Sequence, residues 1–371
     1  MLGLIKHTTT ERLKPVKRKH NIVFGRHARA TFTVALAVFF ALLQELPLAA
    51  QDLHFSQFFN SPLSTNPANT GFIPSSDYRV GAHHRDQWSS VPVPYKTTSI
   101  FGDFQFLRDR FPSGWMGLGG LILQDVAGSG NLRSTKVYAS VAYHQMLGST
   151  GLLSAGFNLG YAGKQINLAK LTFDNQWNGR FFDGAVPSGE TFQNNSIGYV
   201  DVQAGLNYAY FPSDNLYLHG GFSVHHLNKP KETFFALIPG YDNRIKPRSI
   251  FFADAMIKVN NQVIISPGIY YSRQAAASEF VGGLHINYNL SGNGEQQLIA
   301  GIFYRPGDAY IPMVGYQWKS FKFMFSFDVT NSPLKFNNGS RGASELFLQY
   351  DGIYNTVYGN RRQSYCPSFS N

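Results

Sequence analysis

Between residues 77 and 356 the chain returns repeatedly to segments in which apolar and polar side chains alternate. In DVQAGLNYAY the apolar set is Val202, Ala204, Leu206, Tyr208 and Tyr210, interleaved with Asp201, Gln203, Gly205 and Asn207. In FKFMFSFDV, Phe321, Phe323, Phe325, Phe327 and Val329 stand opposite Lys322, Met324, Ser326 and Asp328. EFVGGLHINYNL sets Phe280, Leu284, Ile286, Tyr288 and Leu290 against Glu279, His285, Asn287 and Asn289. VYASVAYHQ sets Val137, Ala139, Val141 and Tyr143 against Tyr138, Ser140, Ala142 and His144. Successive side chains of a strand point to opposite faces, so each segment has one oily surface and one wet one. Two architectures fit: a sandwich with the oily faces inward, or a membrane barrel with them outward.

Three features favour the barrel. The polar faces mix Gly, Ser, Asn, Asp and Lys, which suits a wet lumen; aromatics gather at strand ends, as in Tyr208-Ala209-Tyr210-Phe211 and Tyr270-Tyr271; and an export signal precedes the pattern. Fourteen strands are expected, near 78–88, 95–106, 115–126, 134–146, 151–165, 199–211, 215–227, 249–259, 262–272, 279–290, 296–304, 310–318, 321–330 and 343–355. Even-numbered gaps include the tight Pro212-Ser213-Asp214, Asn260-Asn261 and Lys319-Ser320, whereas odd gaps include the long 166–198, 228–248 and 331–342. A strict alternation of short and long is expected of an outer-membrane barrel with short periplasmic turns and longer extracellular loops. The expected fold is therefore all-β, a transmembrane antiparallel β-barrel of about 14 strands. Pro267 and Pro312 fall inside two of these strands and cannot donate to a ladder, so bulges or displaced boundaries are expected there.

Residues 1–50 have the marks of a signal peptide: a basic front, the uncharged run Ala30 to Leu43, and Leu48-Ala49-Ala50 ahead of Gln51. Fourteen residues make a helix of about 21 Å, shorter than a hydrocarbon core of about 30 Å, which disfavours a membrane anchor. No Cys lies near residue 51, so a lipoprotein is not expected. The whole chain carries 32 basic and 22 acidic residues; the leader holds 8 and 2 of them, leaving 24 and 20, a net of +4 against +10. The basic excess thus belongs mostly to the leader, and a nucleic-acid partner loses its main support. A single cysteine, Cys366, excludes a disulfide scaffold and a cysteine metal cluster. The 36 Gly, 32 Phe and 20 Tyr run through the chain without a linker, which points to one large β structure. Four parts are expected: 1–50 signal peptide, 51–76 a non-strand plug or lid, 77–356 the barrel, and 357–371 a C-terminal periplasmic tail.

An ordered succession of short motifs carries a resemblance. HFSQF with NPANTG opens it, followed by RDQW (85–88), GLILQDVAGSG (120–130), AYHQML (142–147), LTFDNQW (171–177) and HHLNKPKETFF (225–235). YRPGDAYIPMVGY (304–316), FSFDVTNSPL (325–334), ASELFLQY (343–350) and CPSF (366–369) complete it. Taken together, this series is similar to the PorP/SprF family of type IX secretion system outer-membrane proteins. The departures are Phe327-Asp328, where the family more often has Tyr-Asp, and the long leader. The resemblance implies a non-enzymatic barrel in the outer membrane of a Gram-negative bacterium. Such a barrel supports secretion or surface attachment of proteins with a sorting C-terminal domain, gliding adhesins among them. It also implies other secretion-system components at the periplasmic face as partners, and no cofactor. The alternative from a different class is a porin or a small-solute or hydrophobic-substrate transporter.

Catalytic and metal constellations are weak. His83-His84 and His225-His226 point their members to opposite faces, so only His84 and His226 could meet across the lumen. Ser140 and His144 share a face but stand about 13 Å apart, too far for a nucleophile and its base. GLGG (117–120) and GSG (128–130) lack the Lys-Ser/Thr and helix of a phosphate loop. The inward groups Asp125, Lys136, His144, Lys164, Asp201, Arg305, Lys322, Asp328 and Glu345 are expected to form a solvated polar lattice lining the lumen. Charge is admissible there, whereas Arg or Lys on the lipid face costs roughly 2–4 kcal/mol. Fourteen strands lie between a barrel that side chains fill and the open 16-strand porin, so a partly occupied lumen is expected. Gln51 to Phe72 is the candidate occupant, with Phe55, Phe58 and Phe59 packing against lumen side chains and Asn66-Pro67 turning the chain into the first strand.

Overall fold

The computed structural model describes residues 55–90, 93–108, 110–111, 113–235 and 242–354. The expected signal peptide (1–50), the first residues of the expected plug (51–54), the last two of the expected barrel (355–356) and the expected tail (357–371) lie outside the described residues. Fourteen strands follow in order: β1 Tyr78–Gln87, β2 Tyr95–Phe106, β3 Gly114–Ala127, β4 Leu132–Leu147, β5 Gly151–Gln165, β6 Ser196–Ser213 and β7 Leu216–His225, then β8 Arg248–Asn260, β9 Val263–Gln274, β10 Ala277–Asn289, β11 Gln296–Arg305, β12 Ala309–Trp318, β13 Phe321–Thr330 and β14 Arg341–Gly352. Each pairs antiparallel with its sequence neighbours, and β1 closes on β14 from Tyr78↔Gly352 to Gln87↔Ala343. Closure leaves no sheet edge with unpaired N–H and C=O groups, the condition for crossing hydrocarbon with strands.

Burial decides between sandwich and barrel. Phe323 is 46% exposed while its neighbour Met324 is fully buried, and Leu284, Ile286 and Tyr288 are all exposed. The oily faces therefore point out, where only lipid can cover them. Aromatics form a girdle at each end of that band. Tyr143, Tyr208, Tyr210, Tyr316, Trp318, Phe321 and Tyr350 ring the end where β1 begins; Tyr95, Tyr161, Tyr304 and Tyr310 lie towards the other. Parity corrects the aromatic runs noted in the sequence: Phe211 and Tyr270 are buried, on the inward face, so only their neighbours serve the girdles.

The three longest connections, 166–195, 226–247 and 331–340, share one end, the loop end; the end where β1 starts is the turn end. The alternation is not strict, since the turns at 275–276 and 306–308 are on the loop end yet as tight as those opposite. The prolines sit neither at bulges nor at boundaries. The β8–β9 ladder omits the pairs opposite Ser266 and Pro267 and resumes in the same register, and the β12–β13 ladder does the same at Ile311 and Pro312. A strand has two neighbours, and losing one N–H weakens one ladder while the other holds the register: Pro267 still pairs with Leu284 and Pro312 with Ile302.

The interior is not a wet lumen. Inward side chains Phe101, Leu121, Tyr138, Ile250, Phe252, Tyr270, Ile299, Phe303, Ile311, Met324 and Phe347 form one buried apolar cluster with Phe58 and Leu63 of the N-terminal segment. The segment converts the lumen into a protein core, so its walls need not be polar.

Candidate functional site: a filled lumen latched at the loop end

The segment 55–77 has no period-two rhythm, and short helical turns replace strand. Phe58–Asn60 is a 3-10 turn, Pro62–Thr65 a single α-helical turn (α1), and Pro67–Asn69 a second 3-10 turn. Pro62 and Pro67 open their turns, where a missing N–H costs nothing. Side chains meet the remaining backbone groups: the Thr65 hydroxyl lies 2.9 Å from the Ser61 carbonyl, the Asn69 amide donates to the Pro62 carbonyl at 3.2 Å, and the Asn66 carbonyl oxygen accepts from Ala68 N–H at 2.8 Å. With its backbone groups met partly within the segment and partly by inward side chains of the wall, the segment can be buried without joining a sheet. From 55 to 73 every residue except Phe59 and Ser64 is buried, against inward side chains of strands all round the wall. It therefore runs along the inside of the barrel, from the loop end at Phe55 to the turn end at Asp77.

At the loop end a charge network grips the start of the segment. The backbone N–H groups of Ser56 and Gln57 donate to the two carboxylate oxygens of Glu345 at 2.7 and 3.0 Å. The Ser56 hydroxyl donates to Asp328 at 2.8 Å and accepts from Arg85 at 2.8 Å and Arg305 at 2.6 Å. Arg85 also pairs with Glu345, and with Asp328 at 3.0 Å. Arg305 reaches Glu279 at 2.9 Å, Asp308 at 2.8 Å and Asp328 at 3.2 Å. His83 bridges Glu345 (3.2 Å) and the Ser61 hydroxyl (2.9 Å) while Phe55 stacks on its ring at 4.0 Å. Glu345 has no exposed surface, so its charge depends on these partners.

Lower down, Phe58 packs on Tyr270 and Phe303, and Phe59 on His285 and Phe303. Lys322 donates to the Asn60 side chain at 2.9 Å and lies over the rings of Phe59 and Phe347. The Asn66 amide donates to the carbonyls of Leu206 (3.0 Å) and Phe222 (3.3 Å), between β6 and β7. Asn66 thus anchors mid-wall, and the turn into β1 comes later, beyond Gly71. At the turn end contact is backbone on backbone. Gly71 has φ +68°, and a Cβ there would strike the Cα of Gly117, whose own Cβ would overlap the Thr70 carbonyl. Trp115 donates to the Gly71 carbonyl at 3.1 Å, and Gly71 N–H to Asp103 at 2.7 Å, a carboxylate also gripped by Arg79 at 2.9 and 2.8 Å.

The sequence-derived polar set faces inward, but it is neither solvated nor one lattice. Arg305, Asp328 and Glu345 belong to the loop-end network. Asp201 is a separate site, bonded by His226 (2.8 Å), Tyr138 (2.7 Å) and Gln203 (3.3 Å). Asp125 accepts from Thr97 at 2.6 Å, Lys136 is buried on the same inward side, and Lys164 pairs with Glu232 of the β7–β8 loop. His84 and His226 do not meet: His84 is on the outer face bonded to Thr98, and His226 is buried beside Asp201. No metal-holding group of three ligands occurs among the described residues. His144 meets Ser154 (2.8 Å), not Ser140, whose hydroxyl bonds Thr70. The other ring nitrogen donates to the Thr70 carbonyl at 2.8 Å, so no carboxylate orients this pair, and neither side chain is exposed. Arg85, Arg79, Asp103, Ser56 and Gln57 were not singled out in the sequence, where His83 was weighed only as half of a metal pair and Glu279 only as a polar-face residue. Parity with the inward face gives the strand members; nothing local gives Ser56.

The two longest loops clasp each other. Phe192 and Phe235 stack at 4.7 Å, and Gln193 N–H donates to the Phe234 carbonyl at 2.9 Å. In the second loop the Lys246 ammonium, bonded to Asp242, holds that carboxyl below its ordinary range.

Residues 48–350 match the family described as "Type IX secretion system membrane protein PorP/SprF". The chain belongs to the PorP/SprF family. This PorP/SprF chain also resembles solved barrels. The Pseudomonas putida toluene transporter TodX aligns with 80% of this chain and 94% of its own at 12% identity and a TM-score of 0.51. The Ralstonia pickettii toluene transporter TbuX aligns over the same shares at 9% and 0.45, and a Pseudomonas aeruginosa FadL homologue over 79% and 94% at 11% and 0.47. No curated protein matches the chain. The PorP/SprF chain is thus an outer-membrane barrel and a component of the type IX system by family.

Proposed function

We infer that this barrel supports secretion or surface attachment of proteins carrying a sorting C-terminal domain, gliding adhesins among them, in the outer membrane of a Gram-negative bacterium. It has no catalytic role. Its loops meet the cargo outside, and its turn end meets other components of the system in the periplasm. The observation that carries this reading is family membership over 48–350 in a barrel whose lumen is occupied by the buried segment 55–73. A filled lumen suits an anchoring platform better than a diffusion pore. Deleting the gene is expected to remove C-terminal-domain proteins from the cell surface while uptake of small solutes continues; unchanged surface display with impaired uptake of an apolar solute would overturn it. The second reading, a hydrophobic-substrate transporter, draws on the fold shared with TodX. It requires the segment to leave the lumen or loosen within it.

A further inference from the structure

The β5–β6 loop contains a small structure of its own that the barrel does not use. Trp177 and Phe182 face each other across a two-residue bridge, closed by an Asn178 side chain that accepts from Arg180 and Phe181 N–H, both at 3.0 Å. Gln176 ties the hairpin down, accepting from Phe173 N–H at 3.0 Å and donating to the Val186 carbonyl at 3.0 Å. Asp183 N–H donates to the Gln176 carbonyl at 2.8 Å. All this order holds two large rings in water: Trp177 is 49% exposed and Phe182 48%. Their centroids are 5.1 Å apart at 59°, and together with Asp174 they line a shallow cavity of about 450 Å³. Among the described residues no Lys, Arg or His lies within ion-pair distance of the Asp174 carboxylate.

We propose that Asp174, Trp177 and Phe182 form a binding site for a cationic side chain, lysine or arginine, of a protein partner; under the function inferred above, that partner is the secreted cargo. Two π faces meeting at an angle make a wedge, in which an ammonium or a guanidinium meets ring faces while the carboxylate supplies the counter-charge. A sugar, the other usual occupant of exposed aromatics, needs one broad flat platform, which rings tilted by 59° do not offer. A protein fits better than a free amine because the same clasped loops carry further exposed aromatic side chains, Phe181 and Phe235, for a larger partner to meet.

The test uses the full barrel in nanodiscs and calorimetry with three probes: a short peptide of alternating glycine and arginine, its glycine–glutamate counterpart, and a linear maltose oligomer. The arginine peptide is expected to bind and the other two not to. Trp177→Ala should weaken binding about tenfold and Trp177→Tyr should largely restore it. Asp174→Asn should weaken it about fivefold and flatten its salt dependence. Melting should stay unchanged, because neither side chain is buried. Binding of the sugar instead, equal binding by Trp177→Ala, or no binding of the arginine peptide would each overturn the site. A defect in cargo display on gene deletion with no peptide binding sinks the site alone. Peptide binding with normal display sinks the secretion reading and leaves the site standing.

Discussion

The two ends of the lumen segment are held by different physics. At the turn end, Gly71 lies against Gly117 with no side chain between them, so the fit is steric. At the loop end, Ser56 and Gln57 are held by charged side chains from β1, β11, β13 and β14, with no comparable backbone approach. The backbone contact of Gly71 with Gly117 does not itself depend on charge, although the Arg79–Asp103 pair backs it through the Gly71 N–H. A charge latch is strong while complete and weakens when one member is lost, because the buried ions left behind are under-compensated. The segment is therefore a hinge-like fixture at one end and a breakable one at the other.

The most severe way to break this contrast removes the segment. Deleting 55–70 is expected to open the lumen and raise single-channel conductance in planar bilayers; unchanged conductance would show that the wall side chains close it unaided. Glu345→Ala comes next. It leaves the Ser56 and Gln57 N–H groups without their acceptor and takes from buried Arg85 one of its two carboxylate partners, Asp328 remaining; a loss of about 3–5 kcal/mol is expected, read as a lower melting temperature in detergent together with conductance bursts. Gly117→Ala tests the other end. The new methyl pushes Thr70 away at a cost of about 1–3 kcal/mol, visible in melting but without conductance bursts if the latch holds. Asn66→Ala, midway, removes a cap and two carbonyl contacts and should cost about 1–2 kcal/mol. The smallest effect belongs to the exposed loop pair. Lys246→Ala should let the Asp242 carboxyl rise toward its ordinary value in an NMR titration, leaving barrel melting unchanged.

The wall was legible in the sequence because strand geometry imposes period two on every residue. Phe321 to Thr330 carries inside and outside in its parity alone, and β2, β5 and β13 match their expected bounds to the residue. The same rule placed Asp328, Glu345 and Arg305 inward. It could not say that they meet, since their meeting depends on which strands lie side by side at one depth and on Ser56 arriving between them. The expectation of a wet lumen failed at Phe303, Ile311 and Phe347. They are inward and apolar because the segment supplies Phe58, Phe59 and Leu63 for them to pack on. A segment without periodicity gives no register, so its path is fixed only by partners far away in the chain.

The ring of strands has one joint where sequence neighbours do not meet, between β1 and β14, and the latch straddles it: Arg85 comes from one side and Glu345 from the other. Ser56 can satisfy both only once that joint is zipped. Sealing the cylinder and seating its filling are consequently one event, and a half-assembled wall would leave Ser56 open to labelling through an introduced thiol until the final ladder forms.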